Sequence, residues 1–314
     1  MIPVALAIDL GGTKVEAGLV TADGTVVASS RHRRPTGPDS SSEQLAEAVT
    51  GATMAALASV GPEHELIGAG IGAAGPINVA AGAVSPLNLA SWRDYPLRDL
   101  VRSIIEPVSA GVPVTLRMDG LCIALAEHWV GAARDVDNAM GMIVSTGVGG
   151  GLILGGRTVP GPTGNAGHIG HVEVAGFDDP CACGGAGCLE AVASGPKTVA
   201  WARREGWAGS TGEELAAAYA AGDEIARRAV ARSGRAIGQA IASATALVDL
   251  DVVAIGGGFS HVTPDIFDMI REPIAEHIQF GFVTKVRVVP SGLSGDGPLI
   301  GAAALIHRSE LIAD

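Results

Sequence analysis

Twice in this chain an apolar run meets a Gly-rich polar turn, reverses into a second run, turns again and starts a third. The first copy covers 4–8, the turn Asp9-Leu10-Gly11-Gly12-Thr13-Lys14, then 15–20, Ala22-Asp23-Gly24 and 25–29. The second covers 139–144, the turn Ser145-Thr146-Gly147-Val148-Gly149-Gly150, then 151–154, Gly155-Gly156 and 158–159. Short apolar runs bounded by turn residues predict buried strands. A repeated unit of this kind predicts two lobes built alike. Further strand-like runs at 67–71, 112–116, 252–255 and 286–289 alternate with helical periodicity at 42–60, 121–130, 223–248 and 298–311, and Thr263-Pro264 opens another helix. Thr211 with Glu214 forms a capping box, and Gly222-Asp223 reads as a helix stop and restart. Strands alternating with helices predict an α/β fold.

Composition limits what such a fold can bind. Apolar residues make up 47 % of the 314 residues, but aromatics only 4 %, so the core is built from Ala, Val, Ile and Leu. The 45 glycines are clustered rather than periodic, which points to turns that cradle a ligand. A net charge of −12 opposes nucleic acid and anionic membranes as partners. The short basic run Arg31-His32-Arg33-Arg34 reads as a solvated face. The first residues have no basic segment and the apolar run stops at Asp9, so they do not read as a signal peptide, and no run reaches membrane-spanning length. The expectation is a soluble, cytoplasmic protein.

Three of the four cysteines fall in one short stretch. Gly170-His171 is followed by Cys181-Ala182-Cys183-Gly184, then Gly187-Cys188-Leu189-Glu190. These spacings force Cys181, Cys183 and Cys188 into one loop with little apolar material, so the loop needs a staple. Three thiolates and one imidazole complete the closed tetrahedral shell Zn²⁺ prefers. A disulfide is the rival, but it leaves one thiol over, and nothing else suggests an oxidising compartment. With zinc on His171, Cys181, Cys183 and Cys188, the residues His168 and Glu190 are held beside the same rigid wall, which suits a small polar ligand.

Three Gly-rich turns each follow an apolar strand: Gly11-Gly12-Thr13, Gly147-Val148-Gly149-Gly150 and Gly256-Gly257-Gly258. Gly lets backbone N–H groups converge on an anion, and Thr13 and Thr146 add hydroxyls. Three such turns favour a polyphosphate ligand such as ATP. None matches a Walker A loop, and no G-x-G-x-x-G opens a helix with an acidic residue at the dinucleotide spacing. Asp9 is placed either to hold Mg²⁺ or to form the turn. Lys14, one of three lysines, reads as a phosphate contact or as a solvated strand residue. Asp119, between a strand and a helix, reads equally as a helix N-cap and as a general base. Cys122 reads as core.

Taken together these residues resemble the ROK family of repressors, open reading frames and sugar kinases, within the actin-like ATPase superfamily. Asp9-Leu10-Gly11-Gly12-Thr13-Lys14 looks like its first phosphate motif, Ser145-Thr146-Gly147-Val148-Gly149-Gly150-Gly151 like its second, and Gly256-Gly257-Gly258-Phe259 like its adenosine motif. The His171 and cysteine stretch fits its zinc-and-sugar signature. The resemblance implies a two-lobed actin-like ATPase (ribonuclease H-like) fold, the smaller lobe being 1–116 with 299–314 and the larger 117–298. It implies ATP held by Asp9, Gly11, Gly12, Thr13, Lys14, Thr146, Gly147, Gly149, Gly256, Gly257 and Gly258 with Mg²⁺. It implies Asp119 as the base, Asn88, His171 and Glu190 as sugar contacts, and a homodimer.

The departures bear on substrate. ROK glucokinases usually carry Asn before the catalytic Asp, a polar amide two positions after it, and Glu where His168 stands. Here the first two positions are Met118 and Leu121. An unpaired buried hydroxyl costs about 1–3 kcal/mol, which argues against plain glucose. The run Ala166-Gly167-His168-Ile169-Gly170-His171 is similar to bacterial N-acetylmannosamine kinases. The expectation is an ATP-dependent kinase for a terminal primary hydroxyl of a hexose-like ring, N-acetylmannosamine first, with glucose or a carbocyclic analogue as alternatives. The rival class is a sugar-binding regulator, which in this family carries a DNA-binding segment ahead of the first phosphate motif. His168 either contacts the ligand or supports the metal loop.

Overall fold

Both hairpin units of the sequence repeat are present, and each seeds a five-stranded sheet. The computed structural model describes residues 1–277 and 279–313; Ile278, and Asp314 at the end of the expected smaller lobe, lie outside the described residues. Strand β1 (Ile2–Leu10) is buried on both faces, as a continuous Val/Ala/Leu/Ile run requires. It pairs antiparallel with β2 (Lys14–Thr21), and β2 with β3 (His32–Pro35). Helix α1 (Ser42–Leu57), opened by a Ser41/Gln44 capping box, leads to β4 (His64–Ala73), parallel to β1. A short hairpin, β5 (Ile77–Asn78) and β6 (Ala83–Val84), precedes helix α2 (Leu97–Ile105) and β7 (Val114–Met118). The sheet order is β3-β2-β1-β4-β7, with α1 packed on β2 and β3 and α2 on β7.

Helix α3 (Asp119–Val130) carries the chain to the second sheet, β8 (Ala139–Val144), β9 (Val148–Leu154) and β10 (Arg157–Thr158). A long loop holding the cysteines follows. Then come α4 (Leu189–Ala193), α5 (Gly195–Arg204), α6 (Gly212–Ala220) and α7 (Glu224–Val248). Thr211 and Glu214 form the expected capping box on α6, and Asp223 caps α7. Strand β11 (Val252–Gly256), helices α8 (Ile266–His277) and α9 (Gly281–Thr284), strand β12 (Arg287–Pro290) and helix α10 (Gly297–His307) complete the chain. The order β10-β9-β8-β11-β12 repeats the first sheet's topology, down to the antiparallel hairpin and the two added parallel strands.

Helices α3 and α10 lie between the sheets, α3 against β8 and β9 and α10 against β1 and β4. The packing is close because small residues face each other. A Cβ at Gly70 would collide with the Ala302 carbonyl, at Gly301 with Cys122, at Gly120 with Gly150, at Gly151 with Leu121, and at Gly141 with Ala124. These five glycines serve helix-to-sheet and helix-to-helix contact rather than a ligand cradle.

Three other expectations are corrected. The third strand of the first unit is not 25–29 but β3, formed by the basic run. Ser30 Oγ accepts from Leu19 N–H at 2.8 Å and donates to Val27 O, so a side chain takes over the strand's pairing and the chain turns at Ala28–Ser30. Val148, Gly149 and Gly150 belong to β9, so the second turn is shorter than predicted. The last helix ends at His307, with only a short turn at Ser309–Leu311. Among the described residues no helix is long and apolar enough to cross a membrane.

Candidate active site

The ends of β1, β7 and β8 and the turns that follow them surround a cavity of about 230 Å³. It brings together Asp9, Gly11, Gly12, Thr13 and Lys14 from the first sheet with Thr146, Gly147 and Gly149 from the second, and adds Asn88, Asp119, His168, His171 and Glu190. Gly256, Gly257 and Gly258 do not line it. Gly257 (φ +93°) instead lies against the Val144 backbone at the end of β8, where a Cβ would not fit. Met118 lines the cavity, but Leu121 does not; it is 1 % exposed and packs on Gly151, so the expectation that it faces a substrate is corrected. Pro298, Ile123 and Ile143 also line the cavity, and no sequence pattern marked them as site residues; Ser145, from the second turn, joins them.

The carboxylates are held in low-dielectric surroundings. Asp119 is the first residue of α3 rather than its N-cap, which is Met118. Its Oδ1 accepts from the Gly120 N–H at 2.7 Å. Burial pushes Asp119 up to about 6, the Gly120 bond pulls it down, and Glu190 raises it further. Asp9 is pushed up to about 7, first by burial and then by Asp119, with Lys14 opposing. Two buried oxygen donors that repel each other are the kind of set a hard divalent cation relieves. Glu190 Oε2 accepts the Val148 N–H at 2.9 Å, which fixes the carboxylate against the turn. A Cβ at Gly147 would sit 2.6 Å from that oxygen, so any other residue there would displace the Glu190 carboxylate.

Lys14 Nζ donates to Glu16 Oε2 at 2.9 Å, and Arg31 and Arg33 bind the same buried carboxylate. The basic run is thus partly tied down, not simply solvated. Arg31 also reaches Asp296 at the start of α10. On the other side of the turn, Asn88 lies against Gly12, where any Cβ would strike its amide.

The cysteine loop closes on itself. Cys181 N–H donates to Gly185 O at 2.9 Å and Gly184 N–H to Cys181 O at 3.0 Å, and Asp179 is clamped by Arg204 and Arg232. One ligand atom each from His171, Cys181, Cys183 and Cys188 lie within 4.8 Å of one another. Cys183 Sγ is 3.6 Å from Cys188 Sγ, and Cys181 Sγ is 3.5 Å from His171 Nδ1. With Zn–S near 2.3 Å, the edge of a zinc tetrahedron is about 3.8 Å, so the spacing fits the metal. A disulfide needs sulfurs about 2 Å apart and does not fit. Burial, followed by the neighbouring thiols, pushes Cys188 up to about 12, so a bare thiolate is disfavoured there unless a cation takes the proton's place.

The thiol–imidazole cluster reaches the cavity through two rings. His171 stacks on His168, centroids 4.7 Å apart and 12° between planes. His168 Nδ1 lies 3.0 Å from Met118 Sδ. Burial first, and His171 second, push His168 down to about 4, so its ring is neutral. Asn165, three residues earlier, accepts from Ile77 N–H and donates to Ile77 O, each at 2.8 Å, tying this loop to the β5 hairpin.

A sequence model of the ROK family matches residues 5–309. An N-acetylmannosamine kinase from Yersinia pseudotuberculosis is 36 % identical over 314 residues, covering 97 % of this chain and 98 % of that one. A glucokinase from Thermotoga maritima is 31 % identical over 320 residues, covering 96 % and 97 %. Among solved structures, a ROK family glucokinase from Streptomyces griseus in complex with glucose and AMPPNP superposes with a TM-score of 0.83 at 28 % identity, covering 97 % of this chain and 99 % of that one.

Proposed function

The chain belongs to the ROK family, and we propose that it transfers the terminal phosphoryl group of ATP to a primary hydroxyl of N-acetylmannosamine. That it is a ROK-type carbohydrate kinase rests on relatives that span nearly its whole length. The observation that carries the chemistry is convergence. The two hairpin units meet at one cavity with Asp119, and a Cβ at Gly149 in β9 would fall 3.8 Å from its Oδ1.

In this reading Asp119 accepts the proton as the sugar oxygen bonds to the γ-phosphorus and the bond to ADP breaks. A base near 6 is largely deprotonated at neutral pH yet basic enough to take a proton. Backbone N–H groups of the two Gly-rich turns, with Thr13, Thr146 and Lys14, hold the phosphates in line, and Gly256, Gly257 and Gly258 face the nucleoside. Asp9 would hold Mg²⁺, directly or through water, and the ion would neutralise charge on the phosphates. Asn88, Glu190, His171 and His168 contact the sugar ring. His171, Cys181, Cys183 and Cys188 would hold zinc, which would keep that wall rigid. The lobes in this reading are 1–116 with 299–314 and 117–298, the enzyme is cytoplasmic, and it works as a homodimer.

N-acetylmannosamine is favoured by His168 and its flanking run, together with the 36 % identical relative. Glucose is the second reading, favoured by the 31 % identical glucokinase. The test is a coupled ADP-release assay with Mg-ATP against glucose, mannose, N-acetylglucosamine, N-acetylmannosamine and a carbocyclic analogue. Selective turnover of N-acetylmannosamine is expected. Turnover of glucose at equal kcat/KM overturns the substrate, and silence throughout, with sugar binding retained, replaces the kinase by a binding protein.

A further inference from the structure

We infer that Met118 is a positioning residue: its sulfur holds His168 as the Nδ1–H tautomer, so that Nε2 presents a lone pair to the substrate and reads a hydrogen-bond donor on it. The inference rests on the sugar-kinase reading for what fills the cavity, but the tautomer is a property of the free protein.

A thioether has no proton to give. The 3.0 Å contact between Met118 Sδ and His168 Nδ1 therefore carries a hydrogen bond only if the ring donates. In a neutral imidazole with its proton on Nδ1, Nε2 is an acceptor and nothing else. The geometry leaves little freedom. Met118 is 1 % exposed, and its chain neighbours are the last strand residues of β7 and the catalytic Asp119. A Cβ at Gly75 would sit 3.0 Å from His168 Cε1 and 3.3 Å from the sulfur, so three groups meet with no space between them. The flat stack on His171 prevents the ring from tilting. With the Nδ1–Cε1 edge packed in this way, Nε2 is the nitrogen left for the cavity that His168 lines, and it has no hydrogen-bond partner among the described residues.

A carboxylate at position 168 would also accept a hydrogen bond, but would bring a charge. An amide at position 118 could donate to the ring as well as accept from it, and so would leave the tautomer open. Methionine at 118 with histidine at 168 gives a neutral wall of fixed polarity. It welcomes an N–H or O–H that donates, and a methyl or methylene beside it against the sulfur. It refuses a carbonyl or ether oxygen at the same spot, because two acceptors would face each other.

The experiment is a long-range ¹H–¹⁵N correlation on the full chain with ¹⁵N-labelled histidine, His168 being assigned by the signals lost in His168→Gln. We expect the wild-type ring to be in the Nδ1–H form and to move to the Nε2–H form in Met118→Leu, a change that conserves volume and removes the acceptor. A wild-type ring in the Nε2–H form, a doubly protonated ring, or an unchanged tautomer in Met118→Leu overturns the inference. As a second readout, calorimetry should show N-acetylmannosamine binding to Met118→Leu about tenfold more weakly, the worth of one ligand hydrogen bond, with Mg-ATP affinity unchanged. Equal sugar affinity in the two proteins overturns it too. Failure of N-acetylmannosamine to bind wild-type protein counts against the substrate reading alone, and the tautomer measurement still decides this one.

Discussion

The two sheets share one strand order, but the connection from the hairpin unit to its first helix differs between them. In the first, β3 reaches its helix α1 across residues 36–41; in the second, β10 reaches α4 across residues 159–188. The short connection only closes the frame. The long one carries His168, His171 and the three cysteines, and it holds the wall of the cavity that faces the sugar in the reading above. The frame is held by apolar burial on both faces of each sheet. The long loop is held by polar clamps and by a thiol–imidazole cluster that fits zinc. In the proposed reading a duplicated frame would supply the phosphate turns, and one lengthened connection would supply specificity, with a metal staple in place of a core.

This contrast can be broken at four points. The largest effect should come where frame and loop meet. Asp119→Asn should lower kcat by roughly 10²–10⁴-fold, the usual worth of a general base, while sugar affinity measured by calorimetry stays within a few-fold. A loss of sugar affinity as large as the loss of kcat would remove the base role. Next, Cys188→Ser should release the metal, read by elemental analysis, and weaken sugar binding by about 10–100-fold, with nucleotide binding nearly unchanged. Equal losses for both ligands would mean that loop and frame are not separable. A smaller effect is set by pH. Because Asp119 is raised to about 6, its base form prevails above that value, so kcat/KM should fall as pH drops through 6, by up to tenfold per unit. A profile flat down to pH 5 would exclude this group as the base. The smallest effect on turnover belongs to the frame itself. Gly141→Ala pushes a methyl into the Ala124 backbone and should cost about 1–3 kcal/mol of unfolding free energy by denaturant titration, with the activity of the folded fraction little altered.

The hairpins were legible in the sequence because apolar runs and glycine punctuation are local signals, and the clustering of His171, Cys181, Cys183 and Cys188 because their spacing is short. What was not legible depends on partners distant in the chain. Strand β3 was misplaced because Ser30 takes over the bond to Leu19, a choice no periodicity records. Gly150 and Gly151 of β9 look like part of a ligand turn until α3 is seen packed on them. Leu121 looked substrate-facing by its offset from Asp119, but the first turn of α3 points it at Gly151. The contact of Met118 with His168 joins residues 50 positions apart, and only the fold brings them together.

The glycine seam between the sheets has a consequence for mutational surveys. At Gly70, Gly120, Gly141, Gly151 and Gly301 even the smallest side chain would enter a neighbouring backbone, although none of the five lines the cavity. In a library scored for growth or turnover these positions should be as depleted of variants as Asp119. Depletion alone would then draw a false active site through the middle of the molecule. Only a separate score for abundance would distinguish residues that do chemistry from residues that leave room for it.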